Sequence, residues 1–428
     1  MNIRINQEIS LETEIPFLSI QEFFMTWEIN KHSEVNISGI IRSSTNRLLN
    51  HDYSQGEIKL IMAGNEMEEA SKVLFCGLVE TFDWKYSHGV THMMVKAISA
   101  SVQLDEKKTS CTFQNSNKTY AEVARDMSNL VNGKVISTTG NEKIEKPVIC
   151  YKETIWEFEK RMASLQSSYI ISDVVTGRPN IWFGMRRGEE INEKDPDLKV
   201  EIKKNYADGE KGRAIRRYCM ESRISYSLGD WLLIYEKKCV IYKKIVRLEH
   251  GETRFVYWLS EEKDLKTEPY YNSRFTGMGL IGTIEKTNKE TFRIRFDMDN
   301  KRGDYSYTWR PESGNSLYAM PEEGSKVEVQ FMNHDEKQGI GVRCLHSLKN
   351  QDANTENKLF ETSEVKIGLF NDSIELATSE ESLNILDDSV IDIEGDNLAI
   401  KSSGKVKLYA KNIRLSASTE VKALTGLQ

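Results

Sequence analysis

Val365-Lys366-Ile367-Gly368-Leu369, Ile374-Glu375-Leu376, Leu383-Asn384-Ile385, Ile391-Asp392-Ile393, Leu398-Ala399-Ile400, Val406-Lys407-Leu408 and Ile413-Arg414-Leu415 follow one another near the C-terminus, and Val421 begins an eighth stroke. Within each stroke the apolar residues stand two apart, the period of a strand with one buried face. Ser, Asp, Asn, Gly and Lys fill the gaps, and the pattern returns every seven to nine residues. A short strand and a corner repeated in this way mark a β-solenoid. Two inward side chains per stroke cannot build a core in one narrow chain, whereas three chains wound about a common axis can bury them all. Each buried aliphatic side chain stabilises such a prism by about 1.5–3 kcal/mol before ordering entropy is counted. Eight strokes stacked at about 4.8 Å would make a needle of roughly 40 Å. Proline is absent after Pro321, as expected where every backbone N–H needs a partner.

The charge balance shifts at the same place. From Leu359 onward there are 7 basic and 12 acidic residues, so five of the seven net negative charges lie there. The negative sum argues against a nucleic-acid or anionic-membrane binder, whose affinity needs a basic face. The most apolar stretch, Trp231-Leu232-Leu233-Ile234-Tyr235, is far short of the ~20 residues of a spanning helix. MNIRINQEIS at the N-terminus has no apolar signal core, so no Sec export is expected and the chain reads as cytosol-made. Six cysteines (76, 111, 150, 219, 239 and 344) form no C-x-x-C pair and read as reduced, mostly buried thiols.

Upstream, strands dominate. Met25-Trp27-Ile29, Val35-Ile37-Gly39, Leu74-Cys76-Leu78 and Thr91-Met93-Val95 keep the two-residue period. Two helices interrupt them. Thr119-Tyr120-Ala121-Glu122 is a capping box followed by Val123, Ala124, Met127, Leu130 and Val131 on one face, with Asn132-Gly133 as the stop. Thr154-Ile155-Trp156-Glu157 repeats it, with Ile155, Phe158, Met162 and Leu165 as the stripe. Strands resume around 168–184 and 231–236, and Glu249-His250-Gly251 turns a hairpin between Cys239–Leu248 and Phe255–Leu259. Between 277 and 347, Phe292, Ile294 and Phe296 oppose Arg293 and Arg295, and Val327-Val329-Phe331 and Ile340-Val342 repeat the alternation. That suits a small Greek-key barrel of the OB type.

The chemical motifs are thin. Gly277-Met278-Gly279-Leu280-Ile281-Gly282 matches G-x-G-x-x-G but opens onto a strand at Thr283-Ile284-Glu285, so no helix N-terminus awaits a pyrophosphate. It reads instead as a flexible lead-in to the barrel. His88 and His92 on one strand would lie roughly 13 Å apart, with no third ligand nearby. The charged run from Arg186 to Lys204 reads as a solvated loop. Tyr305, Tyr307 and Trp309 beside Arg293 and Arg295 would be the stacking residues if the barrel bound single strands, but the module lacks a basic excess. No catalytic constellation assembles, so no enzyme is expected, with no catalytic, cofactor-binding or metal residues and no cofactor.

Several strings, taken in order, resemble the spike-hub family of contractile injection systems, which includes the VgrG proteins of type VI secretion, the phage late-control D proteins and the fused hub and needle of T4-like tails. Leu74-Phe75-Cys76-Gly77-Leu78-Val79 resembles the hub's "LFSGIV". Cys111-Thr112-Phe113-Gln114-Asn115 looks like its "SFQ…T" element. Cys150 to Ala163 is similar to "QYxETDWEFLxRLA", with Cys150 where Gln is usual and Ile155 where Asp is. Ile181-Trp182-Phe183-Gly184 matches "lyfG", and Phe292-Arg293-Ile294-Arg295-Phe296 matches "RVKVRF". Ser316 to Gly324 is similar to "FYFMPEIGD", and Gly341 to Ser347 to "VIGSLHN".

The resemblance implies a mainly β chain with minor α. Residues 1–276 would form a hub of two barrel-like β subdomains with helices near 119–131 and 154–165. An OB-fold domain at 277–347, a linker at 348–358 and a needle at 359–428 would follow, the needle a triple-stranded β-helix of an intertwined homotrimer. It implies a structural spike joining an Hcp-like inner tube and the baseplate to a puncturing needle, with a PAAR-type tip protein and noncovalently carried effectors. Nucleic acid is not an expected partner, and the target membrane is met only by puncture. The chain would be made and assembled in the cytoplasm, then leave as part of a secreted or extracellular particle. Two other classes stay open: a cell-wall-degrading spike with a lysozyme-like hydrolase, which the short linker argues against, and a glycan- or nucleic-acid-binding adhesin.

Overall fold

Several strands of the first ninety-nine residues alternate as their sequence requires, but Lys72–Ser87 does not, because Leu74, Phe75, Cys76 and Gly77 are buried together and Leu78 is only half-buried. In Phe17–Glu28 the side chains of Phe23, Met25 and Trp27 are buried and Phe24 is exposed; in Glu34–Ile41, Val35, Ile37 and Ile41 turn inward. The computed structural model describes residues 2–42, 52–64, 71–192, 198–205, 213–311, 319–345, 356–362 and 364–422. It divides into two compact units, Met1–His346 and Ser347–Gln428.

The first unit is built on a 12-stranded sheet. Asn2–Arg4, Ile9–Thr13, Glu57–Met62, Lys72–Ser87, Val90–Ser99, Glu34–Ile41 and Phe17–Glu28 succeed one another. Phe17–Glu28 then pairs with Lys237–Glu249, which leads to Glu252–Glu261, Arg213–Ser222 and Leu198–Asn205, and Trp231–Ile234, the twelfth strand, also pairs with Lys237–Glu249. Every one of these pairings is antiparallel. Two stretches of chain a hundred residues apart in sequence therefore share one sheet through a single strand pair. The expected hairpin is there: Glu249 faces Glu252, and His250 and Gly251 both take positive φ (51° and 83°), the two-residue turn that matches strand twist.

Between the two halves lies a helical insert. Helix α1 (Tyr120–Ser128) and helix α2 (Ile155–Ser164) both start on closed capping boxes. Thr119 Oγ1 accepts from the Glu122 N–H at 3.2 Å and the Glu122 carboxylate accepts from the Thr119 N–H at 2.8 Å; the Thr154–Glu157 pair repeats this at 3.1 and 3.0 Å. Each cap contributes about 1 kcal/mol and fixes where the helix begins. Leu130 departs from expectation. The α-helix stops at Ser128 and tightens into a 3-10 turn over Asn129–Val131, which rotates Leu130 into solvent, 65% exposed; Asn132 then closes the turn in the left-handed region at φ 59°.

Five strands, Met278–Asn288, Thr291–Phe296, Ser306–Thr308, Lys326–Phe331 and Ile340–Leu345, make a separate sheet in the order third, second, first, fourth, fifth. A parallel bridge between Trp309 and Gly341, with the Arg310 N–H on the Gly341 carbonyl at 2.8 Å, joins the two ends. A closed five-stranded barrel with its third and fifth strands parallel is the OB topology. Phe292, Ile294, Phe296, Val327, Val329 and Phe331 fill it, as the alternation requires.

The second unit holds five short strands, Lys358–Glu361, Lys366–Leu369, Ser373–Ala377, Ser382–Leu386 and Ile391–Glu394, each antiparallel to the next. Four of them are strokes read from the sequence. The later strokes at Leu398, Val406 and Ile413 form no strand within the one chain, because a strand needs a neighbour for its backbone N–H and C=O groups. Most of the 348–358 stretch, His346, Ser347 and Ser316-Leu317-Tyr318 lie outside the described residues.

Candidate functional site

Two features stand apart from ordinary packing. The first is a joint inside the first unit, where the helical insert meets the small barrel. The strands Thr109–Phe113 and Val148–Glu153 form a two-stranded ladder of their own. From one, the Thr112 N–H and Oγ1 donate to the Asp299 carboxylate at 2.6 and 2.9 Å, and Gln114 Nε2 donates to the Ile294 carbonyl at 3.0 Å. From the other, Glu153 holds Arg161 of α2 through two parallel contacts of 2.8 Å each. Arg161 also reaches the Ile149 carbonyl at 2.8 Å and, through Nη1, the Glu336 carboxylate at 2.5 Å. The three side chains are 2–7% exposed. Burial disfavours a charged guanidinium, yet Glu336 and Glu153 outweigh it and hold the Arg161 pKa above its ordinary value. A buried bidentate pair adds geometric specificity more dependably than net energy. It fixes one register between two parts of the chain 175 residues apart.

Also buried here is Glu159, whose Oε1 accepts from Ser128 Oγ on α1 at 2.6 Å. Burial pushes its carboxyl up to about 8, against the opposing effect of the Ser128 hydrogen bond. It is therefore largely protonated at neutral pH and bridges the two helices as a neutral group. Lys244, likewise buried, is lowered to about 7 by burial and donates to the Tyr226 carbonyl and Ser225 Oγ at 2.7 and 2.9 Å.

The second feature is the apolar surface of the second unit. Val365, Ile367, Leu369, Ile374, Leu376, Ile385, Ile391 and Ile393 are 41–65% exposed, and Leu398, Ile400, Val406, Leu408, Ile413, Leu415 and Val421 are 55–75% exposed. Solvated proteins rarely leave so many aliphatic side chains in water without a partner.

The other sequence candidates fall into structural places. Gly277–Gly282 is not a flexible lead-in: from Met278 it is a ladder strand, and Gly282 pairs with Phe296 on one side and Val327 on the other. A Cβ on Gly282 would sit 2.6 Å from the Arg295 carbonyl oxygen, so this glycine permits close strand approach, whereas Gly277 takes positive φ at 74° where the strand begins. His88 lies in the two-residue turn His88-Gly89, not on the strand that carries His92, so the shared-face spacing does not arise. Tyr307 and Trp309 are core residues of the barrel, 1% and 8% exposed, with Tyr305 packed against them, and do not form a stacking surface. The Arg186–Lys204 run is only partly loop: Leu198–Asn205 is a sheet-edge strand, which the alternation of Val200 and Ile202 with Lys199 and Glu201 had signalled. Ile191 before it is buried. Among the described residues no group of three or more His, Cys, Asp or Glu is placed to hold a metal, and no helix is long and apolar enough to cross a membrane. The Arg161–Glu153–Glu336 joint escaped sequence reading altogether.

No protein-family model and no curated sequence matches the chain. Solved structures do. The E. coli c3393 protein, a component of the type VI secretion system with structural similarity to the T4 bacteriophage tail proteins gp27 and gp5, matches 78% of this chain and 99% of its own. The TM-score is 0.52 and the identity 11%. A large antiparallel sheet with a helical insert, a five-stranded barrel and a run of short strands, in that order along the chain, is a fold similar to that of this secretion-system component. More particularly it is VgrG-like. The Francisella PdpA–VgrG complex in its half-lidded form matches 91% of this chain and 88% of that one with a TM-score of 0.58 at 9% identity. The lidless form of the PdpA–VgrG complex matches 91% and 99% at 0.55 and 9%. At such identities the likeness is one of fold.

Proposed function

We propose that this chain is the structural hub and spike of a contractile injection system and that it works as a homotrimer. Residues 1–276 would form the hub, 277–347 its OB collar, 348–358 the linker and 359–428 the needle. The observation that carries this reading is the double row of exposed aliphatic residues from Val365 to Val421. One chain leaves them in water; three chains wound together bury them and supply backbone partners to the strokes after Glu394. Burial stabilises by about 1.5–3 kcal/mol per side chain before ordering entropy, which makes a stiff shaft. The VgrG-like fold supports the same role. In it the hub meets an Hcp-like inner tube and the baseplate, the needle end receives a PAAR-type tip protein, effectors ride noncovalently, and no bond is made or broken by the spike itself. The assembled particle forms in the cytoplasm and leaves it when the sheath contracts. A cell retaining every other component but lacking this chain should assemble no tube or sheath visible by electron microscopy, and the restored gene should recover both. Intact, firing particles in its absence would overturn the proposal.

A further inference from the structure

Cys111 and Cys150 stand directly opposite each other in the two-stranded ladder between Thr109–Phe113 and Val148–Glu153. Opposed residues of antiparallel strands point to the same face with Cα atoms about 4.5–5.5 Å apart, inside the span a disulfide bridges. Both side chains are buried in the core of the helical insert. The other cysteines face different residue types across their ladders: Cys76 faces Lys59, Cys219 faces Lys199 and Trp258, Cys239 faces Leu232 and Glu261, and Cys344 faces Val327. Cys111 Sγ donates to Met127 Sδ at 3.5 Å, and Cys150 Sγ donates to the Thr109 carbonyl at 3.6 Å. The neighbouring Cys150 draws the Cys111 thiol below its ordinary pKa, with Lys301 acting in the same sense against burial, while Cys111 and burial raise the Cys150 thiol.

We propose that Cys111 and Cys150 form a reversible cross-strand disulfide, a redox-controlled staple at the joint between the helical insert and the barrel. The oxidant is an external disulfide, either glutathione disulfide or that of a thiol oxidoreductase. One of the two cysteines, as its thiolate, attacks one of the external sulfurs, a mixed disulfide forms, and the first thiol leaves. The other cysteine gives up its proton and attacks the protein sulfur of the mixed disulfide, and the second thiol leaves. Two electrons and two protons pass to the external disulfide, which ends as two thiols.

The consequence follows from what the two strands hold. One carries Thr112 and Gln114, which grip Asp299 and the Ile294 carbonyl. The other carries the Ile149 carbonyl and Glu153, which hold Arg161 and through it Glu336; its Tyr151 carbonyl accepts from Asn272 at 3.0 Å. A covalent bond between the strands makes the two sets of grips one rigid clamp. The use of such a bond rests on the spike reading: the chain folds in a reducing compartment and acts on an oxidising envelope.

The test uses the full chain, equilibrated in glutathione buffers from fully reducing to as oxidising as a secretory lumen, then alkylated in denaturant and mapped by mass spectrometry. In the oxidising buffers, four of the six cysteines take up label instead of six, and one linked peptide pair contains Cys111 and Cys150. The oxidised chain unfolds at a higher temperature than the reduced one, and added thiol reverses both changes. In Cys111→Ser and Cys150→Ser no intramolecular link forms. Six labelled cysteines in every buffer, a link mapping to another pair, or a stable glutathione adduct without a link would each overturn the proposal. The readout needs no assembled particle, so its failure leaves the spike reading standing, and failure of that reading leaves the bond testable.

Discussion

Arg161→Met tests the joint most sharply. The substitution keeps the length and apolar stem of the side chain but removes the guanidinium that faces Glu153 through two contacts of 2.8 Å and Glu336 at 2.5 Å. Both carboxylates are almost wholly buried and lose their shared counterion together, while the Ile149 carbonyl loses a donor. Breaking one partner of a buried ion pair costs about 3–5 kcal/mol, mostly because the remaining charge stays buried. At about 2 °C per kcal/mol for a unit of this size, the unfolding temperature should fall by about 6–10 °C. Differential scanning calorimetry reads the fall. The triple variant Arg161→Met, Glu153→Leu, Glu336→Leu supplies the control, since it removes every charge and should recover most of the loss. A single variant within about 1 kcal/mol of the parent, or a triple variant no better than the single, would refute the argument that uncompensated buried charge sets the cost.

Three further outcomes follow. Glu159 keeps its proton up to about 8 in the folded chain but releases it near 4.5 when unfolded, so its contribution to stability is full below 4.5 and lost as pH rises through 8. Glu159→Gln should abolish that decline between pH of about 5 and about 8 in urea unfolding, and equal slopes in parent and variant would contradict it. Gly282→Ala places a Cβ 2.6 Å from the Arg295 carbonyl oxygen and should destabilise the barrel by more than about 1 kcal/mol in thermal unfolding, and an unchanged unfolding temperature would contradict the close approach. Leu408→Asp puts three carboxylates into the proposed shaft and should weaken association, read by sedimentation velocity; Ser416→Asp, off the apolar register, should not.

Much of this architecture was legible because its signals are local. The capping boxes at Thr119 and Thr154, the Glu249–Glu252 turn and the alternation of Phe292, Ile294 and Phe296 each need only a few neighbouring residues to declare themselves. What stayed hidden depends on chain folding back across distance. Nothing near Arg161 in sequence announces Glu336, and nothing near Cys111 announces Cys150. Tyr307 and Trp309 read as stacking residues only on condition that the barrel bound single strands, and their place in the core stayed unread because alternation does not say which side of a barrel strand is inside. Leu130 went astray for a smaller reason, the change from α to 3-10 geometry within one turn. Negative charge read over the whole chain argued only against a nucleic-acid or anionic-membrane partner; read by position, it belongs chiefly to the stretch proposed as the needle.

The central claim is that the apolar rows from Val365 to Val421 are the inner seam of a three-chain needle. The mass of the purified full chain in solution, by light scattering across a dilution series, tests it directly. The account predicts a species of three chains that persists on dilution, whereas a stable monomer at every concentration would contradict it.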